Sequence, residues 1–259
     1  MFENLTKALI ITGNLSPMHD WRYTNQMLRK SLEASGHFIV KICEDFHGMT
    51  AEALKDYDVL IINYDGAANG DMKNPVTLGA ETEKVICDFV AGGKGIFFFH
   101  SSTMMKPPFS EEYIKLAGSH DCVGKYKSYK DTGYTIDVIP GHPITEGVKP
   151  HWMLCDDDFF NWIELDDDCT VLATIYDPAN DRNVPCFWCK EYGNGRVFGS
   201  ILGHQQDTLR RLDYCRLLIR GCDWAANGTV TAPMPTRDSN DDWMRSWPWY
   251  YTSPIGRLY

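Results

Sequence analysis

Along the first hundred positions, short apolar blocks alternate with segments of helical period. Lys7 to Thr12, KALIIT, is such a block; it ends at Gly13 and predicts a buried strand whose C-terminal end opens into the loop GNLSPMHDW. A helix is expected from about Thr24 to Ser35, with Thr24 as cap, Leu28 and Leu32 on one face and Gly36 as terminator. HFIVKICE then alternates Phe38, Val40 and Ile42 against polar neighbours as a second strand. A short helix near Thr50 to Lys55 leads into DVLIINY, Asp58 to Tyr64, a third strand. Glu81 to Val90 places Val85, Ile86 and Phe89 on a helical face, Gly92 and Gly93 break it, and GIFFFH forms a fourth strand. Strands alternating with helices at this spacing imply right-handed crossovers and a mainly parallel sheet covered on both faces.

After Asp121 the pattern turns β-rich: YTIDVI, CTVLATIYD and VPCFWCKEYGNGRVFGSIL. In the last of these, Gly193, Asn194 and Gly195 tolerate positive φ between two apolar runs and predict a hairpin. These strands are expected as antiparallel or edge additions to the sheet. A single helix is predicted from about Asp207 to Ala226, closed by Asn227 and Gly228. From residue 229 periodicity is lost, and Trp243, Trp247, Trp249, Tyr250, Tyr251 and Tyr259 appear among prolines. This reading divides the chain into an α/β domain, residues 1–228, and an aromatic, proline-rich arm, residues 229–259. The arm is expected to pack on its own domain or on a neighbouring subunit of a homo-oligomer.

Composition narrows the function. A net charge of −10 over 259 residues argues against nucleic acid or an anionic membrane as partner and suits a small neutral substrate. The N-terminus MFENLTKALIITG has an acid where a signal peptide needs a basic region, and no apolar run nears the roughly 20 residues of a membrane span, so a cytoplasmic protein is expected. Nine scattered cysteines read as reduced residues, and Cys186 and Cys189, spaced CxxC, lack the second pair of a zinc knuckle. GGKG, Gly92 to Gly95, precedes its strand and lacks the ending of a phosphate loop, so no nucleotide cofactor is expected.

Ligands of open parallel sheets bind beyond the carboxyl ends of the strands. Strand one ends at a loop with His19 and Asp20, strand three at Tyr64 and Asp65, and strand four at His100, Ser101 and Ser102, so these residues are expected on one rim. His120, His142, His204 and the run Asp156, Asp157, Asp158 are further candidates, whereas Asp166 to Asp168 reads as a turn without a site role. Imidazole beside carboxylate suits a divalent metal or an acid/base pair, although no local spacing such as HExxH marks a metal site. Adjacent strand residues such as His100 and Ser101 point to opposite faces, which disfavours a direct Ser–His dyad. Trp21, Tyr64 and Phe160 are candidate sugar-stacking walls, with core packing the alternative for each.

The segments SPMHDW, GGKGIFFFHSS, AGSH, GHPITEGV, DDDFFNW, YGNGRVFGSILGH and RLLIRGCDWAANG, in this order, resemble the ThuA-like (trehalose utilisation) family over roughly residues 6 to 228. The resemblance implies a flavodoxin-like three-layer α/β sandwich similar to class I glutamine amidotransferases. His100 stands where those enzymes carry a nucleophilic cysteine, so glutaminase chemistry is not expected. It implies catabolism of disaccharides and glycosides, including 3-keto derivatives, with a divalent metal such as zinc or manganese in some members. The family's histidines correspond to His19, His100, His120, His142 and His204, and Asp157 or Asp158 replaces an Asp–Glu pair. The resulting expectation is an enolising or eliminating enzyme. Its catalytic residues would be His100, His19, His142 and Asp157, its metal ligands His100, His204 and His120, and its sugar contacts Trp21, Tyr64, Ser101, Ser102 and Phe160. The competing expectation is a non-catalytic carbohydrate-binding or regulatory protein on the same shell.

Overall fold

Strand β1 (Thr6–Ile11) pairs in parallel with β2 (Phe38–Cys43) on one side and β3 (Val59–Ile62) on the other, which makes it the point where strand order reverses. The computed structural model describes residues 5–13, 19–66, 74–122, 124–127, 133–155 and 157–235. The aromatic stretch 236–259, on which the oligomer expectation rests, lies outside the described residues, as does Asp156. Beyond β3 come β4 (Gly95–Phe99) and β11 (Gly195–Ser200), both parallel to β3. The sheet then continues antiparallel through β10 (Arg182–Tyr192), β9 (Thr170–Asp177), β6 (Gly133–Val138) and β7 (His151–Cys155). Strands β5 (Ser119–Asp121) and β8 (Ile163–Leu165) form a separate two-stranded sheet.

The continuous apolar run of β4 follows from its central place, because each face meets a different helical layer. Phe97 and Phe99 join one core with Met27, Leu28 and Leu32 of helix α1 (Trp21–Ala34) and Leu217 and Leu218 of α6 (Leu212–Asn227). Ile96 and Phe98 join the other core with Ile86 and Val90 of α3 (Ala80–Ala91) and Tyr113 and Leu116 of α4 (Glu111–Ala117). The three-layer α/β arrangement, flavodoxin-like with antiparallel additions, is the predicted fold class. Gly95 lets α6 approach closely, since a Cβ there would lie 2.5 Å from the Ala225 backbone.

Local boundaries differ from the sequence reading for physical reasons. Helix α1 begins at Trp21, because the Asp20 side chain accepts the Tyr23 N–H, while Thr24 Oγ1 accepts from Asn63 Nδ2 inside the protein. The single C-terminal helix is two, α5 (Gln206–Arg210) and α6, separated by Arg211 in an extended conformation. Helix α4, absent from the sequence reading, has a legible signature in the Ser110 cap and left-handed Gly118. The β10–β11 hairpin turns at Gly193 and Asn194, as the glycines indicated. No helix among the described residues is long and apolar enough to cross a membrane.

Candidate functional site

Strand β4 stops at Phe99, and the chain turns sharply into a 3₁₀ turn, His100–Thr103, with His100 at φ 46°. Positive φ is uncommon for a residue with a side chain, and surrounding contacts hold it there. The His100 ring is 2% exposed, Nδ1 lies 2.7 Å from the Ile201 carbonyl at the end of β11, and Phe160 stacks on it with ring centroids 4.9 Å apart. A carbonyl oxygen can only accept, so Nδ1 carries the proton and Nε2 presents a lone pair. Burial, together with the nearby His19 and His204 rings, holds its pKa well below the ordinary 6.5. His100 is therefore neutral under ordinary conditions.

Two further imidazoles meet that lone pair. His204 follows β11 and places Nδ1 3.2 Å from His100 Nε2. His19, just before α1, lies edge-on to both, with ring centroids 5.0 Å from His100 and 5.1 Å from His204. One ligand atom from each of the three rings falls within 4.8 Å of the others. Around this cluster, His19 Nδ1 pairs with Asp65 Oδ2 at 2.5 Å and His204 Nε2 lies 3.7 Å from Asp158 Oδ2. Three nitrogen ligands with oriented outer faces are the donor set that a divalent transition metal takes. They come from the ends of β1, β4 and β11, the rim that the crevice rule selects.

The remaining sequence candidates occupy other places. His120, on β5, pairs with Asp166, which also faces Lys190 Nζ at 3.5 Å. It lines an open groove of about 460 Å³ with Glu111, Lys115 and Asp166 to Asp168, so it is not grouped with the three histidines; the second acidic run forms the expected turn before β9, with Asp166 and Asp168 paired to Lys190. His142 accepts the Ile144 N–H at Nδ1 and packs edge-on against Trp224, with Nε2 3.6 Å from Cys189 Sγ. Trp224 lies next to Ala225, which abuts the start of β4, so His142 belongs to the end of the sheet opposite the cluster. Neither residue is brought to the site.

Of the expected sugar walls, Phe160 alone has a ring contact with the cluster among the described residues. Tyr64 is buried, packs against Phe46 and donates to the Val76 carbonyl, and Trp21 is buried beneath the Arg22 guanidinium. Ser101 and Ser102 are buried in the 3₁₀ turn, so the strand alternation used against a Ser–His dyad does not apply there. Ser102 Oγ accepts the Tyr64 N–H and so ties the β4 turn to the end of β3. Asp65 was legible as a rim residue at the end of strand three, but nothing local marked it as the partner of His19, 46 positions away.

Asp157, expected to be catalytic, instead holds the backbone of the His204 loop. Its two oxygens accept the Gly203 and Gln205 N–H groups, each at 2.9 Å, on either side of His204. Burial pushes its pKa from 3.8 up to about 6, against the backbone donors that favour the charged form. The folded value is the higher one, so the stability contributed by Asp157 is complete below the unfolded value and is lost as pH rises to about 6. That loss amounts to ~3 kcal/mol. Urea unfolding of the wild type and Asp157→Asn from pH 4 to 7 should show the wild-type advantage shrinking by that order as pH rises. A difference independent of pH contradicts the assignment.

The model of the ThuA family, described as trehalose utilisation, matches residues 7–225. Among solved structures, a ThuA-like protein from Parabacteroides merdae superposes with a TM-score of 0.72 at 23% identity, covering 90% of this chain and 94% of that one. A ThuA-like protein from Bacteroides uniformis gives 0.67 at 17% identity, covering 87% and 94%. The carbohydrate deacetylase Agd3 gives 0.58 at 12% identity, covering 84% of this chain and 33% of that one. At these identities the superpositions establish shared fold alone. No curated protein matches the chain. The family match spans the core from β1 to α6, the elements that carry the three histidines, and the chain belongs to the ThuA family.

Proposed function

We propose that this protein is an enzyme of sugar catabolism that holds a divalent transition metal, zinc or manganese, on His19, His100 and His204. Its proposed reaction is cleavage of 3-keto-glycosides by enolisation and elimination. The observation that carries this reading is the convergence of the three imidazoles within 4.8 Å, with the outward nitrogens of His19 and His100 facing Asp65 and the Ile201 carbonyl. The family's description as trehalose utilisation supports a sugar substrate, as does the deacetylase among the neighbours of the same fold.

The residues fit a cation on chemical grounds. Protonating all three rings would place like charges about 5 Å apart, and His100 resists protonation through burial, so neutral nitrogen donors face one point. A bound divalent cation would supply Lewis acidity toward the C3 ketone oxygen, which acidifies the hydrogen on C2. The chain's own groups handle the proton and the positioning. Asp158, with its side chain 67% exposed at the edge of the cluster, is the carboxylate placed to accept the C2 proton. As the C2–H electrons form the C1=C2 bond, the C1–O bond breaks with its electron pair on the departing oxygen, which takes up a proton from solvent water as the aglycone leaves. Asp157 holds the His204 loop in register, and Phe160 fixes the plane of His100.

The test is incubation of the protein with 3-keto-glucosides and with the parent glycosides, with and without Mn²⁺ or Zn²⁺. Aglycone release from the oxidised sugar alone, dependent on metal, is the expected result. Release from the parent glycosides would overturn the elimination chemistry. Binding of keto-sugars without turnover of any of them would identify a carbohydrate-binding protein instead.

A further inference from the structure

The three imidazoles are not equally supported. His100 leans on a neutral carbonyl, and His204 on Asp158, whose side chain is 67% exposed and 3.7 Å away. His19 pairs with a buried carboxylate at hydrogen-bond distance, Asp65 Oδ2 at 2.5 Å, with the Asp65 side chain 1% exposed. Asp65 sits just beyond β3, whose neighbours β1 and β4 lead to His19 and His100, so its position is set by the sheet rather than by a surface loop alone.

We infer that Asp65 is the positioning residue of the cluster: it holds the proton of His19 on Nδ1, so that the Nε2 lone pair faces the nitrogens of His100 and His204, and it fixes the orientation of that ring. This inference rests on the three-histidine reading proposed above. An ionised carboxylate can only accept, so the Nδ1–H tautomer is the one that satisfies both partners. Such a carboxylate behind an imidazole raises the basicity of the ligand and fixes its orientation, and removing it typically lowers metal affinity about 10- to 100-fold. Asp158 is exposed to water and farther from its ring, so it should contribute far less to affinity.

The experiment has two independent arms. In the first, Co²⁺ and Zn²⁺ are titrated into chelator-stripped wild type, Asp65→Asn and Asp158→Asn, followed by Co²⁺ absorbance and by competition with a chromophoric chelator. Asp65→Asn should bind about 10- to 100-fold more weakly, and Asp158→Asn within a few-fold of wild type. Equal weakening in both variants, or none in Asp65→Asn, overturns the inference.

In the second arm, ¹⁵N spectra of the metal-free wild type report which nitrogen of His19 carries the proton, with His19→Gln supplying the assignment. Protonation on Nδ1, moved toward Nε2 in Asp65→Asn, supports the inference, whereas an Nε2-protonated His19 in the wild type overturns it even if the variant does not fold. If wild type binds neither cation, the metal-site reading fails, and the tautomer measurement still decides what Asp65 does.

Discussion

His204→Ala is expected to lose bound divalent metal to background and to lower turnover of a keto-glycoside substrate by roughly 10²-fold or more, the scale seen when one group that stabilises developing charge is removed, while the protein remains folded. His204 is the informative position because it is partly exposed and lies in a loop, so truncation leaves little void. The parallel change His100→Ala removes another of the proposed ligands but also empties a wholly buried site, leaving the Ile201 carbonyl without its donor and Phe160 without its stacking partner. That should cost roughly 2–5 kcal/mol of stability in addition to the metal. Metal analysis of protein purified without chelator, beside thermal melts of each variant, separates the two effects. Near-zero metal in wild type and both variants, or full metal in His204→Ala, would sink the three-histidine site.

A large stability effect is expected at Gly203. This residue has φ +120°, and a Cβ there would lie 2.3 Å from Cε2 and 2.6 Å from Cζ of Phe99. Phe99 cannot move aside, being 1% exposed in the main core and in contact with Phe97 and His100. Overpacking of this kind costs about 1–3 kcal/mol and a forced positive φ a similar amount. Gly203→Ala is therefore expected to melt roughly 10 °C or more below wild type, at about 2–4 °C per kcal/mol for a domain of this size. It should also disturb the His204 loop, whose Gly203 N–H donates to Asp157. Gly36→Ala is the control: its φ is also positive, +68°, but nothing lies within 4 Å of the new Cβ, so only the backbone term of about 1–2 kcal/mol applies. Equal melting shifts in the two variants would show that the Phe99 contact does not matter.

What the sequence determined by itself is the scaffold and the address of the site. Blocks such as KALIIT, DVLIINY and GIFFFH encode burial on both faces, and the glycines at 92, 93 and 193 mark where elements end. The crevice rule then points to the strand ends that carry His19, Asp65 and His100, because in a parallel sheet all such ends lie on one rim. Tertiary structure decided which candidates meet. His100 and His204 are 104 positions apart and come together only because β11 returns beside β4, while the register of β10 and the packing of α6 carry His142 toward the other end of the sheet. The same holds for the acidic run: the residue types were visible, but pairing with the Gly203 and Gln205 backbone, not local pattern, makes Asp157 a structural anchor and leaves Asp158 beside His204. Hydrophobic periodicity reports which face of an element is buried, not what lies across from it. A site assembled from three strand ends is therefore settled by strand order and packing.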